Sequence, residues 1–184
     1  MGPRRLFHPL RWIALCLWLS AAAASAQPGA TEGQLKAAYL YRFAGFIEWP
    51  EGAFARPDSP LLIGVAGNDE LAAQAGQLVA GRSINGHPLA VRRVRGGDSL
   101  AGLHILYIGA LDHATLAELL GAARSEALLT VTDSDHGGAL GGMIRFVVAQ
   151  QRLRFEVALA QVQPSRLRIS ARMLAAAASV SGAP

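Results

Sequence analysis

Cysteine is nearly absent from this chain of 184 residues. The single cysteine, Cys16, lies within the first 26 residues, which have the pattern of a cleaved signal peptide. The exported chain is therefore predicted to have no thiol, although it would enter a compartment in which disulfides form. This excludes cysteine nucleophiles, cysteine metal sites and disulfide bonds. The remaining residues, about 158 of them, are enough for one domain stabilised by a hydrophobic core alone.

The chain also lacks an apolar run long enough to span a membrane comfortably, which takes about 20 residues. Three arginines flank the apolar residues 12–19, and Ala24-Ser25-Ala26 is a small-x-small cleavage signal. This pattern predicts a signal peptide over residues 1–26 with cleavage after Ala26. We therefore expect a periplasmic domain over residues 27–184, without stable membrane insertion. An uncleaved membrane anchor is the alternative interpretation.

An excess of positive charge is missing once the signal peptide is removed. The full chain has 17 Lys and Arg against 13 Asp and Glu, and three of the arginines lie in the signal peptide. The exported chain then has 14 basic and 13 acidic side chains, which is close to neutral. Because nucleic-acid-binding domains have a strongly basic surface, this balance predicts no nucleic-acid partner.

Common catalytic motifs are absent as well. The sequence has no G-x-S-x-G turn for a serine hydrolase, no P-loop, and no G-x-G-x-x-G after a strand. His87, His104 and His113 lack the spacing of metal ligands and are interpreted as surface or strand-end residues. We therefore expect no enzyme activity, no catalytic residues, no metal and no cofactor. A hydrolase with a non-standard site is a less favoured alternative.

One loop nevertheless has polar residues where ligand sites are often found. Asp133, Asp135 and His136 follow a predicted strand, where α/β folds place ligand sites. They could hold a hard metal ion, but a solvated loop is the favoured interpretation. Glycine pairs at 137–138 and 141–142 could bind an anion through their amides, but a turn leading into a hairpin is favoured.

An aromatic-rich amphipathic helix opens the predicted domain. Thr31 and Gln34 have the spacing of a capping box. Helical spacing of apolar residues follows, and Pro50 favours an end to the helix near Trp49-Pro50. The positions predicted to face the core are Leu35, Ala38, Tyr39, Phe43 and Phe46.

Strands alternate with helices over the next hundred residues or so. Buried-type strands are predicted at 61–66, 103–108 and 128–132, and a further strand at 89–94. Helices are predicted near 69–79 and 112–124. Asn68 and Asp112 are suitable N-caps, and Asn85-Gly86 is a turn signal. Such alternation predicts an α/β sheet with parallel pairing in this half.

The C-terminal part has the pattern of a β-hairpin. Apolar and mostly polar residues alternate over 143–148 and 152–159, on either side of Gln150-Gln151. The predicted register pairs Phe146 with Phe155 on the buried face and Arg145 with Glu156 on the outward face. A final helix is predicted from Ala171 to about Ser179, capped by Ser170. The fold class is thus α/β, a single-domain mixed sheet with flanking helices and a C-terminal β-hairpin.

Six segments carry a resemblance to a known family. In order along the chain they read KAAYLYRFAGFIEWP, GRSINGHPLAVRRV, LLTVTDS, GGMIRFV, LRFEVAL and LRISARML. Together they resemble the YfiR-like family of periplasmic regulators and cover most of the predicted domain. This chain differs at Arg42, Arg145 and Ala158, where the family often has Asn, and at Ala171, where it often has Ser.

The resemblance implies a regulator and not an enzyme. Such a protein binds and represses the periplasmic sensor region of a membrane-bound diguanylate cyclase, and so affects cyclic-di-GMP signalling and biofilm formation. The partner is then that cyclase or another sensor protein. The alternative function is a periplasmic small-molecule-binding protein that serves a sensor kinase or a transporter. Whether the protein forms a homodimer is left open.

Three segments supply the candidate residues for contact with a partner or ligand. The first helix, the outward face of the hairpin and the start of the last helix contribute Tyr41 and Arg42, Arg145 and Glu156, and Ser170 and Arg172. Two arginine groups add a further hypothesis, because Arg binds phosphate and carboxylate through a planar fork. These groups are Arg92, Arg93 and Arg95, and Arg166, Arg168 and Arg172, but the near-neutral charge of the exported chain favours solvated faces for both.

Overall fold

The structure is a computed structural model that describes residues 30–124 and 126–182. The predicted signal peptide and its cleavage site lie outside the described residues. The helices are α1 (Glu32–Ala44), α2 (Asp69–Val79), α3 (His113–Ala123), α4 (Leu159–Val162) and α5 (Ala171–Ala176). The strands are β1 (Ile47–Glu48), β2 (Leu61–Ala66), β3 (Ser83–Ile84), β4 (His87–Val94), β5 (Ile105–Ile108), β6 (Leu129–Thr132), β7 (Ile144–Ala149), β8 (Arg152–Ala158), β9 (Arg168–Ile169) and β10 (Ser179–Ser181).

The main sheet has the strand order β10-β8-β7-β6-β5-β2-β4-β3. The pairs from β4 through β7 are parallel, whereas β7–β8 and β3–β4 are antiparallel. This mixed α/β sheet with a C-terminal hairpin confirms the predicted fold class. A separate pair joins β1 to β9 in antiparallel register.

Two hydrophobic cores lie on opposite faces of the sheet. Helices α1 and α2 pack on one face, where Phe43 of α1 lies with its ring centroid 5.0 Å from Phe155 and 6.0 Å from Phe146. Helix α3 packs on the other face through leucines against β5. Since side chains alternate between the faces of a strand, the apolar residues of β2 and β5 divide between the two cores.

The predicted helix starts are confirmed by their caps. Thr31 and Gln34 form the capping box of α1, with each side chain accepting from the other residue's backbone amide. Asn68 caps α2, Asp112 caps α3 and Ser170 caps α5 through side-chain oxygens. These motifs act within a few residues, so the sequence alone was enough to find them.

The hairpin register is also confirmed. Phe146 pairs with Phe155 and Arg145 pairs with Glu156. Gln150 and Gln151 form a two-residue turn, with φ of 52° and 59°, the backbone that such a tight hairpin needs. Val148 was expected on the apolar face, but it is 66% exposed because it lines an open cleft.

Two helix ends differ from the prediction. Helix α1 ends at Ala44, before the expected Trp49-Pro50 stop, because the chain at Ile47 turns to pair with β9. The last helix ends at Ala176 and not near Ser179, because the chain turns there and Ser179 begins strand β10 beside β8. Both changes come from pairing with distant strands, which overrides local helical preference.

The face of α1 that is buried also differs in detail. Leu35, expected in the core, is 39% exposed, whereas Lys36 is 8% exposed. Phe43 is buried as predicted, and Tyr39 and Phe46 pack against the core, whereas the buried positions Ala37, Leu40 and Ala44 were not predicted. A charged side chain therefore lies where an apolar one was expected, and its partners define the site described next.

Candidate functional site

The carboxyl ends of the parallel strands place polar residues together. After β2 the chain passes through α2 to β4, which pairs on one side of β2. It then continues to β5, which pairs on the other side of β2. The order in which strands are added to the sheet therefore reverses between β2 and β5. In open α/β sheets this reversal point is where ligands commonly bind. Asn68 follows β2, Tyr107 lies in β5 and Asp133 follows β6 at this edge.

Asp133 is the centre of a partly buried polar network. Its Oδ2 accepts hydrogen bonds from the Tyr107 hydroxyl at 2.5 Å and from Lys36 Nζ at 2.7 Å. Lys36 Nζ also lies 2.6 Å from Glu32 Oε1, one turn earlier in α1. The other carboxylate oxygen of Asp133, Oδ1, is buried without a hydrogen-bond partner among the described residues. The network thus joins α1 to two strands.

The two carboxylates of this network favour the charged form of Lys36. Burial by itself lowers the pKa of Lys36, but the hydrogen bonds and charges of Asp133 and Glu32 outweigh it, so the pKa is raised. Burial, together with the hydrogen bond to Asp133, raises the pKa of the Tyr107 hydroxyl. At neutral pH Tyr107 is a hydrogen-bond donor and not a base.

An open cleft of about 450 Å³ adjoins the network. One wall is polar, formed by α1 and the loop after β6, and the other is the apolar tip of the hairpin. Its lining residues are Glu32, Lys36, Asp133, Asp135, Phe146, Val147, Val148 and Leu153. Within residues 30–124 and 126–182 no group of three potential metal-ligating side chains occurs, so the cleft has no ligand set for a metal ion.

Arg145 and Glu156 come together as the register predicts. Arg145 Nη2 lies 2.6 Å from Glu156 Oε2, and Nη1 lies 2.6 Å from Asp135 Oδ1. The hydrogen bond to Glu156 raises the pKa of Arg145. Because Phe146 and Phe155 contact α1, the alternation of each strand places Arg145 and Glu156 on the opposite face of the sheet. This pair is therefore separated from Tyr41 and Arg42 by the sheet itself.

The other four candidate residues lie near the C-terminal end of α1. The Arg82 guanidinium lies 5.3 Å from the centroid of the half-buried Tyr41 ring, and Arg42 is exposed. The Ser170 amide donates to the Phe46 carbonyl at 3.0 Å, which places the start of α5 beside the end of α1. Arg172 is exposed in the first turn of α5.

Exposed arginines occur in α1, in the loop after α2, in and before β9, and in α5. We call the group Arg42, Arg82, Arg166, Arg168 and Arg172 the arginine patch. None of its members forms an ion pair with another described residue. The first turn of α1 carries Glu32, so the helix has an acidic end beside the cleft and a basic end beside α5.

Two members of the polar network were not predicted from the sequence. Tyr107 lies within a continuous apolar run and Lys36 lies at the start of the aromatic helix, so neither was singled out. Asp133 was identified as a loop residue after a strand. A lysine one turn after Glu32 was the available signal for Lys36, but its partner Asp133 is 97 residues away.

These features define a small α/β protein with two binding-type surfaces and no recognisable catalytic group among the described residues. A family model described as YfiR/HmsC-like matches residues 33–178. The chain therefore belongs to the YfiR/HmsC-like family, and this membership supports a periplasmic regulator of diguanylate cyclase signalling. No curated protein gives a significant match to the chain. No helix in the described part of the chain is long and apolar enough to cross a membrane.

Proposed function

We propose that this protein binds the periplasmic sensor region of a membrane-bound diguanylate cyclase and represses the enzyme. Export with cleavage after Ala26 is part of this proposal. Repression would lower cyclic-di-GMP and, through it, biofilm formation. Family membership gives the class of regulator, and the observation that points to the contact surface is the unpaired arginine patch.

The arginine patch suits a partner with an acidic surface. An exposed guanidinium without an intramolecular carboxylate keeps its hydrogen-bond donors free for a partner. Tyr41 and Ser170 lie within the same region and add an aromatic and a hydroxyl contact of the kind found at interfaces. In contrast, Arg145 is already bonded to Asp135 and Glu156, so its donors are used within the molecule. We therefore assign the primary contact to the arginine patch and not to the hairpin.

Charge reversal tests this assignment. Arg42→Glu and Arg172→Glu should each weaken binding to the sensor region by about tenfold or more, because each replaces an attraction with a repulsion at the interface. Stability should change by no more than about 0.5 kcal/mol, since both side chains are exposed. A pull-down from membrane extract first identifies the cyclase. Binding is then measured by titrating each variant against the isolated sensor region of that cyclase.

Arg95→Glu is the matched control. Arg95 is exposed and follows β4, outside the arginine patch, so its reversal makes the same change in net charge. It should leave binding within about twofold of the parent if the contact is local, by analogy with other exposed substitutions away from an interface. Equal losses in all three variants would mean that only net charge matters, and no loss in any variant would exclude the patch.

The cleft supports a second candidate function, small-molecule binding in the service of a sensor kinase or transporter. Its volume of about 450 Å³ lies in the usual range of ligand sites, and it combines an apolar wall with convergent polar groups. A thermal-shift screen against periplasmic metabolites would test it. A ligand whose stabilising effect disappears in Val148→Asp, with no cyclase recovered in the pull-down, would favour this function over repression.

A further inference from the structure

Two histidines enclose a phenylalanine at the amino-terminal edge of the sheet. The Phe54 ring is stacked between His87, with centroids 3.7 Å apart, and His104, with centroids 4.2 Å apart. Trp49 meets both Phe54 and His104 edge-on. Phe54 belongs to an irregular segment, residues 49–60, that connects β1 to β2 and is here called the strap. The three-ring stack is thus the main contact between the strap and the sheet.

The hydrogen bonds of His104 require its neutral form. The Leu62 amide can only donate, so His104 Nδ1, 3.2 Å away, must accept, and the ring proton is on Nε2. The backbone of His104 is held on both sides, because its amide donates to Leu62 and its carbonyl accepts from Leu129, both at 2.9 Å. The residue is 3% exposed. His104 is therefore fixed in the sheet, and the strap is the part that can move.

The strap itself is weakly attached. Its internal hydrogen bonds span three residues, from Ala53 to Pro50 and between Arg56 and Ser59. Beyond the ring stack, a hydrogen bond from His87 Nδ1 to the Ser59 carbonyl, at 2.8 Å, joins it to β4. The ring stack and this hydrogen bond both involve histidine side chains, and Trp49 and Phe54 also pack against the core.

We propose that His104 is a pH-sensitive latch that holds the strap on the sheet while the ring is neutral and releases it once the ring is protonated. A proton on Nδ1 would turn this atom into a donor that points at the N–H of Leu62, which is also a donor, so their hydrogen bond would be lost. It would also place a positive charge in a buried ring stack. Moving the strap admits water to the ring and relieves the burial of this charge.

The charged groups around the ring do not offset this effect. His87, on the opposite face of Phe54, is the other titratable ring of the stack. The strap carries Glu51, Arg56 and Asp58, all exposed, of which Arg56 and Asp58 pair with each other at 3.2 Å. Strands β2 and β6 contain no charged residue. No carboxylate is within salt-bridge distance of His104 among the described residues.

The direction of the pH dependence follows from the closed form. Burial lowers the pKa of His104 from its ordinary value of 6.5, and the nearby His87 lowers it further, whereas the Ala53 backbone partly opposes both. An open strap exposes the ring, which then takes up a proton near the ordinary value. The stability of the closed form relative to the open form is therefore complete above about pH 6.5. It is lost as the pH falls from there through the lower pKa that His104 has in the closed form.

Hydrogen exchange on the full chain tests the latch. Protection factors, corrected for the intrinsic pH dependence of exchange, are measured for peptides from the strap between pH 7.5 and 5. Strap protection should be constant above about pH 6.5 and should then fall by up to about tenfold per pH unit, the limit for one proton. Peptides from β5 should keep their protection, which separates local release from global unfolding.

Two variants and a control complete the test. His104→Asn keeps an acceptor for the Leu62 amide but cannot titrate, so its strap protection should be lower than in the parent and independent of pH. If this variant fails to fold, Phe54→Leu, which removes the middle ring, should show low strap protection at pH 7.5 and a smaller further loss at pH 5. His113→Asn, at an exposed histidine of α3, should keep the profile of the parent.

The outcomes are distinct from those that test the proposed function, because no partner is present. A pH-dependent loss that persists in His104→Asn would overturn the latch, as would equal loss of protection in β5 and the strap. A flat profile in the parent would do the same. A pH-dependent loss confined to the strap and abolished by His104→Asn would establish it.

Discussion

The ion pair between Lys36 and Asp133 gives the sharpest test of how α1 is held. The exposed fractions of the two side chains are 10% and 29%, so the pair lies between the surface and buried classes. Surface pairs contribute about 0.2–1 kcal/mol, whereas breaking a buried pair costs about 3–5 kcal/mol. When Asp133 is replaced, Lys36 keeps its ion pair with Glu32. When Lys36 is replaced, Asp133 keeps its hydrogen bond from Tyr107. We therefore expect Lys36→Met and Asp133→Asn each to lower the free energy of unfolding by about 2–3 kcal/mol.

A double-mutant cycle measured by urea unfolding separates the pair from the rest of each side chain. The double variant should be less destabilised than the sum of the single variants by at least about 1 kcal/mol, because it leaves no uncompensated charge. Each single variant should lower Tm by roughly 4–12 °C for a domain of this size. Because the pKa of Lys36 is raised, the contribution of its charge should be complete at neutral pH and lost only as the pH rises above about 10.5.

The exposed pair of Arg93 and Asp69 is the matched control for this cycle. Their nitrogen–oxygen distance is 3.6 Å, and the side chains are 60% and 80% exposed. The coupling energy in an Arg93→Met and Asp69→Asn cycle should be below about 0.5 kcal/mol. A coupling for Lys36 and Asp133 as small as that of the control would refute the view that the buried network fixes α1.

Other predictions concern the hairpin and export. Phe146→Ala should cost about 3–5 kcal/mol in urea unfolding, because the ring is 5% exposed between two other aromatic rings. Glu156→Gln should cost only about 0.2–1 kcal/mol, since the pair with Arg145 is partly solvated; a loss comparable to that of Phe146→Ala would contradict the assigned faces. The intact mass of protein from a periplasmic fraction should correspond to a chain that begins at Gln27, and a mass that retains residues 1–26 would contradict cleavage after Ala26.

Local signals in the sequence account for much of the fold. The caps at Thr31, Asn68, Asp112 and Ser170 act within three residues, and the alternation around Gln150 sets the hairpin register. Such patterns can be read directly because the groups that interact are close in the chain.

The elements that were missed depend on distant partners. Strand β1 exists because β9, more than a hundred residues later, supplies its hydrogen bonds, and β10 exists because β8 offers a free edge. The residues of β10 follow an alanine-rich helix, so local preference favours continuing that helix. Only the assembled sheet shows which choice is more stable.

In the candidate site, too, the residues that depend on local signals were predictable and those that depend on distant partners were not. The rule that ligand sites follow parallel strands found Asp133, but not the two groups that bind it. The pairing of Arg145 with Glu156 was predictable from register. Their position on the opposite face of the sheet from Tyr41 was not predictable, because tertiary packing decides which face α1 covers.

Helix α1 connects the two surfaces that the proposals use. Its 13 residues span about 20 Å, with Lys36 bound to Asp133 near one end and Arg42 exposed near the other. The hydrogen bond of Lys36 to Asp133 and the packing of Phe43 both hold this helix on the sheet. Of the arginine patch, Arg42 alone belongs to α1. If Arg42 contacts the sensor region as proposed, a ligand that displaces Lys36 from Asp133 would loosen the helix that carries this contact.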